Sequence, residues 1–590
     1  MSERFELPFW PSQVLADYQE KRYEAVSEAL LAVLHRLKGF NLQSLDDNAQ
    51  RFVDVFVKHF LYLFTQEDYV PADRHMVEFV ALNPVISNVV AISCFRTTDA
   101  FIEILKEQAR NLAKMLALYS ARNIVPLDRR MLFDAAPGLA THWYYCFWES
   151  VRSCCAEREA LQNLREHMNF RDERLGAIDN SVPYAYFGCT YVDHENDRGL
   201  KERVNQGFQA WGAAQVPIAN RPDFRRIALI TEKWFPGHSV DRCTSAFVEA
   251  LAGEFELTLV HLGAERADLD TSLFREVRRF RIGSPIDYSA LTPNAWGIAY
   301  YPDIGMNAES IFLSNLRLAP IQICGYGHPV STFGSRIDYW LGGRDIESLA
   351  DHERNYSERL VLVPGSGVAP NRPNYELHGG RAEDDAVIVN CPWLAQKINF
   401  PLLERLRRIL ERSQRSVRFR FFTGGSLDGN AYVPLRRYLK DVLGRSHVQV
   451  FDNMPYAEYM RLMEQGDFSL DSYPFGGYAT AIDAVHLRKP LVAWAGTRFY
   501  NRSAASVLRR VGLEELVVFD GEAYEALALR LIHDEGYRNG LGERLAGVDL
   551  ESALFDRDDA RHVVKAFRFL VENHRRLQSE GHRRPIVIEP

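Results

Sequence analysis

Two textures divide the chain. From about 14 to 170, apolar residues recur at helical spacing and strand signals are scarce. Within 97–118, Phe101, Ile104, Leu105, Ala109, Leu112, Met115 and Leu116 follow the i, i+3, i+4 pattern that predicts one buried helix face. The segments 14–37 and 46–64 read the same way, and no fixed repeat period emerges. Between 175 and 222 the pattern weakens while Gly, Pro, Asn and Asp become frequent, which predicts a domain boundary.

After that boundary the texture is short apolar runs bounded by Gly and Pro. They lie at 225–231, 255–262, 297–303, 321–327, 337–342 and 358–364. Beyond a Gly/Pro-rich linker at 364–385 they resume at 386–390, 417–424, 447–452, 468–471, 490–496 and 516–520. Such runs predict buried parallel strands joined by helical crossovers. One crossover helix is well marked, with Pro455 at its start, Tyr456, Tyr459, Met460 and Met463 on one face, and Gly466 at its stop. The expected organisation is an all-α domain over 1–210 followed by two α/β lobes, 211–375 and 376–590, with the last helices in the second lobe.

Composition narrows the function classes. The 590 residues hold 70 basic and 78 acidic side chains, a net charge of 70 − 78 = −8, which argues against nucleic acid as a partner. A local basic pocket for one phosphorylated ligand stays compatible with it. None of the eight cysteines forms a CxxC pair and no Cys/His cluster has zinc spacing, so neither a disulfide framework nor a metal site is indicated. The first residues carry acidic side chains rather than a signal peptide's apolar core. The apolar stretch 77–95 is interrupted by Glu78, Asn83, Pro84, Ser87 and Asn88, which predicts a buried helical segment rather than a transmembrane one. A cytoplasmic location is the expectation.

Four loops that follow strands could carry chemistry, since ligands of such sheets bind at the carboxyl ends of strands. In 231–242, Gly237 permits close backbone approach, Ser239 can cap a helix beginning around Asp241, and His238 could act as a base or donate to a phosphate. In 325–329, His328 occupies a similar position before Pro329. In 390–397, Lys397 could meet a diphosphate as a point charge. In 471–483, Gly476 and Gly477 free the backbone before a helix starting near Thr480, where N–H groups and the helix dipole favour an anion. Asp483 on that helix could accept from ribose hydroxyls. The loop is neither a P-loop nor a GxGxxG fingerprint, and the acidic run 556–559 reads as a helix start.

The segment 471–483 and its continuation through 489–490 to 502–516 resemble the donor-binding lobe of the O-GlcNAc transferases, in glycosyltransferase family 41. The whole pattern, helical region then two α/β lobes, is more similar to the bacterial cytoplasmic N-glycosyltransferases that glucosylate adhesins. The resemblance covers nearly all of 10–575, with its strongest motifs between 225 and 516. It implies a GT-B fold, an inverting reaction and a UDP-sugar donor, with no metal and no other cofactor. It also implies an acceptor protein or peptide, adhesins among the candidates.

Residue by residue, Gly237, His238 and Arg242 match the family's catalytic-loop motif, and Gly327 with His328 its second histidine. Lys397 matches the diphosphate lysine, Asp483 the aspartate that contacts the nucleotide, and Asn453 with Met454 the loop that meets uracil. Gly425, Gly477, Tyr478, Ala479 and Thr480 complete the implied nucleotide-sugar set, with His238 and Lys397 as its catalytic pair. Three positions depart from the adhesin-modifying pattern. Leu394 stands where those enzymes have threonine, Ala479-Thr480 where they have Asn-Gly, and Gly425 where a glutamine helps choose the sugar. The function expected is transfer of a hexose, glucose first, to asparagine in Asn-X-Ser/Thr. Transfer to Ser/Thr and a non-catalytic interaction protein remain open alternatives.

Overall fold

The computed structural model describes residues 9–39, 45–176, 179–211, 221–380, 385–425 and 427–590. Parts of the boundary expected within 175–222 and of the linker expected over 364–385 lie outside these. The chain forms two compact units that are discontinuous in sequence. One comprises 1–193, 393–410 and 419–454, the other 194–392, 411–418 and 455–590.

Every described element before the first strand is helical. The helix Asp47–Phe64 starts where the pattern places it, because the Asp46 carboxylate accepts from the Ala49 N–H at 2.7 Å. The other two expected helices are interrupted. The pattern over 14–37 divides into Pro11–Gln19 and Tyr23–Gly39, separated by Lys21 at φ +58°. There the Arg22 and Lys21 N–H groups close a Schellman turn on the Asp17 and Tyr18 carbonyls. The pattern over 97–118 divides into Asp99–Lys106 and Leu112–Leu118. Gln108 and Asn111 leave the ladder between them and donate to the Thr65 and Glu67 carbonyls. Ile104, assigned to the buried face, is left exposed.

The apolar stretch 77–95 spans parts of two helices, Asp73–Ala81 and Asn83–Ile92, which meet at 61°; among the described residues no single helix is long and apolar enough to cross a membrane. Buried Asn83 donates to the carbonyls of Leu116, Ala117 and Tyr119, satisfying the end of a neighbouring helix. The same unit contains the helix Gly429–Leu443, whose Asn430 bonds Asn88 and the Leu37 carbonyl.

Fourteen strands occur among the described residues, all in parallel sheets. They are β1 (Asp223–Thr231), β2 (Glu256–His261), β3 (Glu276–Arg279), β4 (Trp296–Tyr301), β5 (Ile321–Cys324), β6 (Tyr339–Gly343), β7 (Arg359–Val363), β8 (Val387–Cys391), β9 (Val417–Phe422), β10 (Val448–Phe451), β11 (Phe468–Leu470), β12 (Leu491–Trp494), β13 (Val517–Val518) and β14 (Ile586–Val587). In the first unit β9 and β10 pair with Phe419 opposite Val448. The second unit holds an eight-stranded sheet, ordered β14-β7-β6-β5-β4-β1-β2-β3, and the neighbouring strands β8-β11-β12-β13.

Twelve of these strands lie in the apolar runs; β3 and β14 do not. The sequence of β3, Glu-Val-Arg-Arg, carries little apolar signal because it is an edge strand with no fully buried residue. The two-residue β14 pairs with β7 and buries only Ile586. The C-terminal segment therefore packs elsewhere than the second lobe in which its position along the chain placed it. Val563, Phe567, Leu570 and Leu577 of the helix Arg561–Ser579 join Ile227, Tyr300 and Leu341 in the core of the first sheet. Each such side chain stabilises the fold by roughly 1.5–3 kcal/mol on burial.

Candidate active site

Strand β1 ends at Thr231, and Gly237, at φ +86°, turns the following loop into the helix Ser239–Ala252. That helix begins two residues before the expected Asp241, and its cap is His238 rather than Ser239. The imidazole Nδ1 accepts from the Val240 N–H at 3.1 Å, and the ring packs 5.2 Å from Phe235. Burial first, then the nearby Lys233 charge, push the His238 pKa down to about 4. The ring is neutral at pH 7. Since Nδ1 is an acceptor, the proton resides on Nε2, so His238 presents an N–H donor.

One turn further, Arg242 Nη2 donates to Asp483 Oδ1 at 2.8 Å, where the carboxylate is buried and the guanidinium partly buried. The Tyr456 hydroxyl donates to the same oxygen at 2.7 Å, with the guanidinium 5.1 Å from the Tyr456 ring. Burial opposes the Arg242 charge but the Asp483 carboxylate outweighs it, so the proton is held more firmly than usual. The oxygen of Asp483 expected at the nucleotide thus serves Arg242 and Tyr456 in this structure.

The β5 loop differs. A Cβ on Gly327 would meet the Pro302 carbonyl oxygen at 2.7 Å, so only glycine fits there. His328 is 2% exposed, with its ring centroid 6.0 Å from Phe475, which itself stacks on Tyr500 at 4.6 Å. Burial and then Lys201 push its pKa well down. The expected second histidine is therefore a buried member of a ring stack.

After β11, the Gly477 N–H donates to Asp471 Oδ1 at 2.9 Å, and the helix Ala479–His486 begins with no side-chain cap. Tyr478 turns inward, its hydroxyl 2.9 Å from Ser366 Oγ and its ring 5.7 Å from Tyr326. Ala479 and Thr480 stay half-exposed at the helix start.

The other expected residues lie in the first unit. Lys397 ends the turn Ala395–Lys397, which is tied down by the Ala395 N–H on the Thr423 carbonyl at 3.2 Å. A Cβ on Gly425 would meet the Asn453 amide at 2.9–3.1 Å, so Gly425 and the Asn453-Met454 loop adjoin. The side chain of Leu394 lies over Gly424.

Sequence reasoning missed two contributors. Tyr456 reads as a packed helix face, although the Pro-Tyr start followed by a second tyrosine at 459 marks a polar tip there. Buried Asp303 is bonded to Thr231 Oγ1, and burial pushes its carboxyl up to about 6. No motif signals it.

Residues 368–563 match the model of glycosyl transferase family 41. This is the family that the motifs resemble. A UDP-glucose:protein N-beta-glucosyltransferase of Actinobacillus pleuropneumoniae is 25% identical over 558 residues, covering 90% of this chain and 86% of that protein. A probable UDP-N-acetylglucosamine–peptide N-acetylglucosaminyltransferase SPINDLY of Hordeum vulgare is 26% identical over 43% of this chain and 27% of its own length. Among solved structures, an O-GlcNAc transferase variant from Thermobaculum terrenum superposes with a TM-score of 0.59 at 19% identity, covering 90% of this chain and 98% of that one. The fold is the expected GT-B type of α/β structure, with an all-helical region before the first strand.

Proposed function

We propose that this chain is a UDP-sugar-dependent protein glycosyltransferase that moves glucose to the side-chain nitrogen of asparagine in Asn-X-Ser/Thr. The reaction is a single inverting displacement that needs no metal. The observation that carries this reading is the similarity to the Actinobacillus glucosyltransferase across nine-tenths of the chain.

In the displacement the bond from sugar C1 to the diphosphate oxygen breaks, the bond from C1 to nitrogen forms, and the amide nitrogen gives up a proton to the departing diphosphate. Negative charge grows on the departing diphosphate. The uncapped helix start at Thr480 offers it backbone N–H groups and a positive dipole end. The role of Lys397 as a diphosphate cation rests on the resemblance. His238 acts as a neutral donor from Nε2, directed at an oxygen of donor or acceptor. A base at Nε2 would require the other tautomer, which sets the Nδ1 proton against the Val240 N–H; losing that bond costs about 1–3 kcal/mol.

Thr480, standing in place of the glycine of the adhesin-modifying pattern, favours a second reading in which a Ser/Thr hydroxyl is the acceptor. UDP-glucose, UDP-galactose and UDP-GlcNAc offered with a library of sequon and Ser/Thr peptides separate the two readings by mass spectrometry. The expected product is a hexose on asparagine, from UDP-glucose, at a rate unchanged by added Mg²⁺ or Mn²⁺. A mass gain confined to Ser/Thr selects the second reading, and no gain on any peptide overturns both.

A further inference from the structure

His142 and Cys146 lie four residues apart on the helix Pro137–Cys146, so their side chains share one face. Asp179, just before the helix Val182–Val192, completes a group whose donor atoms all lie within 4.8 Å of one another. Nδ1 of His142 is 2.6 Å from Asp179 Oδ2, and Cys146 Sγ lies 3.8 Å from Nδ1 and 3.5 Å from Nε2. The Asp179 carboxylate is already oriented, because its Oδ1 accepts from the Ser181 N–H at 2.8 Å. The thiol is buried and the histidine and aspartate are partly buried. The sequence indicated no metal here because it holds no CxxC pair, and the third donor comes from another segment.

We propose that His142, Cys146 and Asp179 bind one Zn²⁺ ion, with water in the fourth position. Zinc holds such ligands at ~2.0–2.3 Å, which sets tetrahedral donor atoms about 3.4 Å apart. The sulfur–nitrogen distances already match, and the Nδ1–Oδ2 separation must open by less than about 1 Å. Sulfur and imidazole donors select zinc over Mg²⁺ or Ca²⁺. Thiolate, carboxylate and neutral imidazole cancel the charge of the ion, which suits a half-buried position.

The test uses the full chain, stripped with a chelator and titrated with Zn²⁺ and Co²⁺ by calorimetry and absorbance. One equivalent should bind, Co²⁺ should give a thiolate charge-transfer band, and Zn²⁺ should raise Tm. Cys146→Ser should abolish the band, and Asp179→Asn should weaken binding at least ~10-fold. Cys94→Ser, which removes an exposed thiol, should change neither. Binding that is not stoichiometric, that survives both site variants, or that disappears with Cys94→Ser overturns the proposal. Should Cys146→Ser fail to fold, the Asp179→Asn titration decides alone.

Discussion

The loops after β1 and β5 share a local grammar, Gly237-His238 and Gly327-His328, yet they deliver their imidazoles to different surroundings. His238 caps a helix through Nδ1 and stays half-exposed, so the cap leaves its Nε2–H unused. His328 enters a stack with Phe475 and Tyr500 and is buried. Both rings are held neutral by burial, but only His238 keeps an exposed face. A Gly-His pair at a strand end therefore specifies a position, and accessibility depends on which distant ring is laid over it.

The largest effect should come from the anchor behind His238. Asp483→Ala leaves the partly buried Arg242 guanidinium without its buried carboxylate, and we expect a loss of about 3–5 kcal/mol, read from urea midpoints. A loss under ~1 kcal/mol would show that the β1 loop does not depend on this pair. Next, His238→Ala should lower kcat/KM by at least ~10²-fold with little change in Tm. His238→Gln, which keeps an N–H donor but provides no comparable base, should recover part of that loss. If it is as inactive as the alanine variant, the donor role fails.

His328→Ala should do the reverse, costing ~2 kcal/mol of stability through the cavity in the stack while leaving turnover per folded molecule intact. A fall in turnover like that of His238→Ala would erase the contrast between the loops. The smallest effect is on pH dependence. The unfolded chain takes up a proton near pH 6.5 that folded His238 refuses down to about pH 4. The His238 contribution to stability should therefore fall as pH drops through that window and stay level above it. His328, also depressed, acts with the same sign. Denaturation midpoints of the wild type and His238→Gln across pH 4–8 check this, and equal slopes would remove His238 from the account.

Much of the scaffold was legible because it is local. The Asp46 cap, the apolar runs from β1 to β13 other than β3, and the helix after Pro455 are written in neighbouring residues. Lys21 and Gln108 break helices that periodicity would continue, since an apolar pattern does not register a turn closed by backbone bonds or carbonyls bonded from another segment. The candidate site was legible as a set of positions. Its contacts were not: Arg242 and Asp483 are 241 residues apart, and Tyr478 turns toward Ser366 rather than outward.

By itself the sequence determined the alternation of strand and helix, the glycine-bearing loops at strand ends and the likeness to family 41, because each is a short-range property of spacing and residue type. Tertiary structure alone decided that His238 is a capped donor and His328 a packed ring. It also decided that the C-terminal helix and β14 return to the first sheet, and that Asp179 meets His142 and Cys146. Periodicity reports which face of an element is buried. It does not report what covers that face, and at each of these points the covering group sets the chemistry.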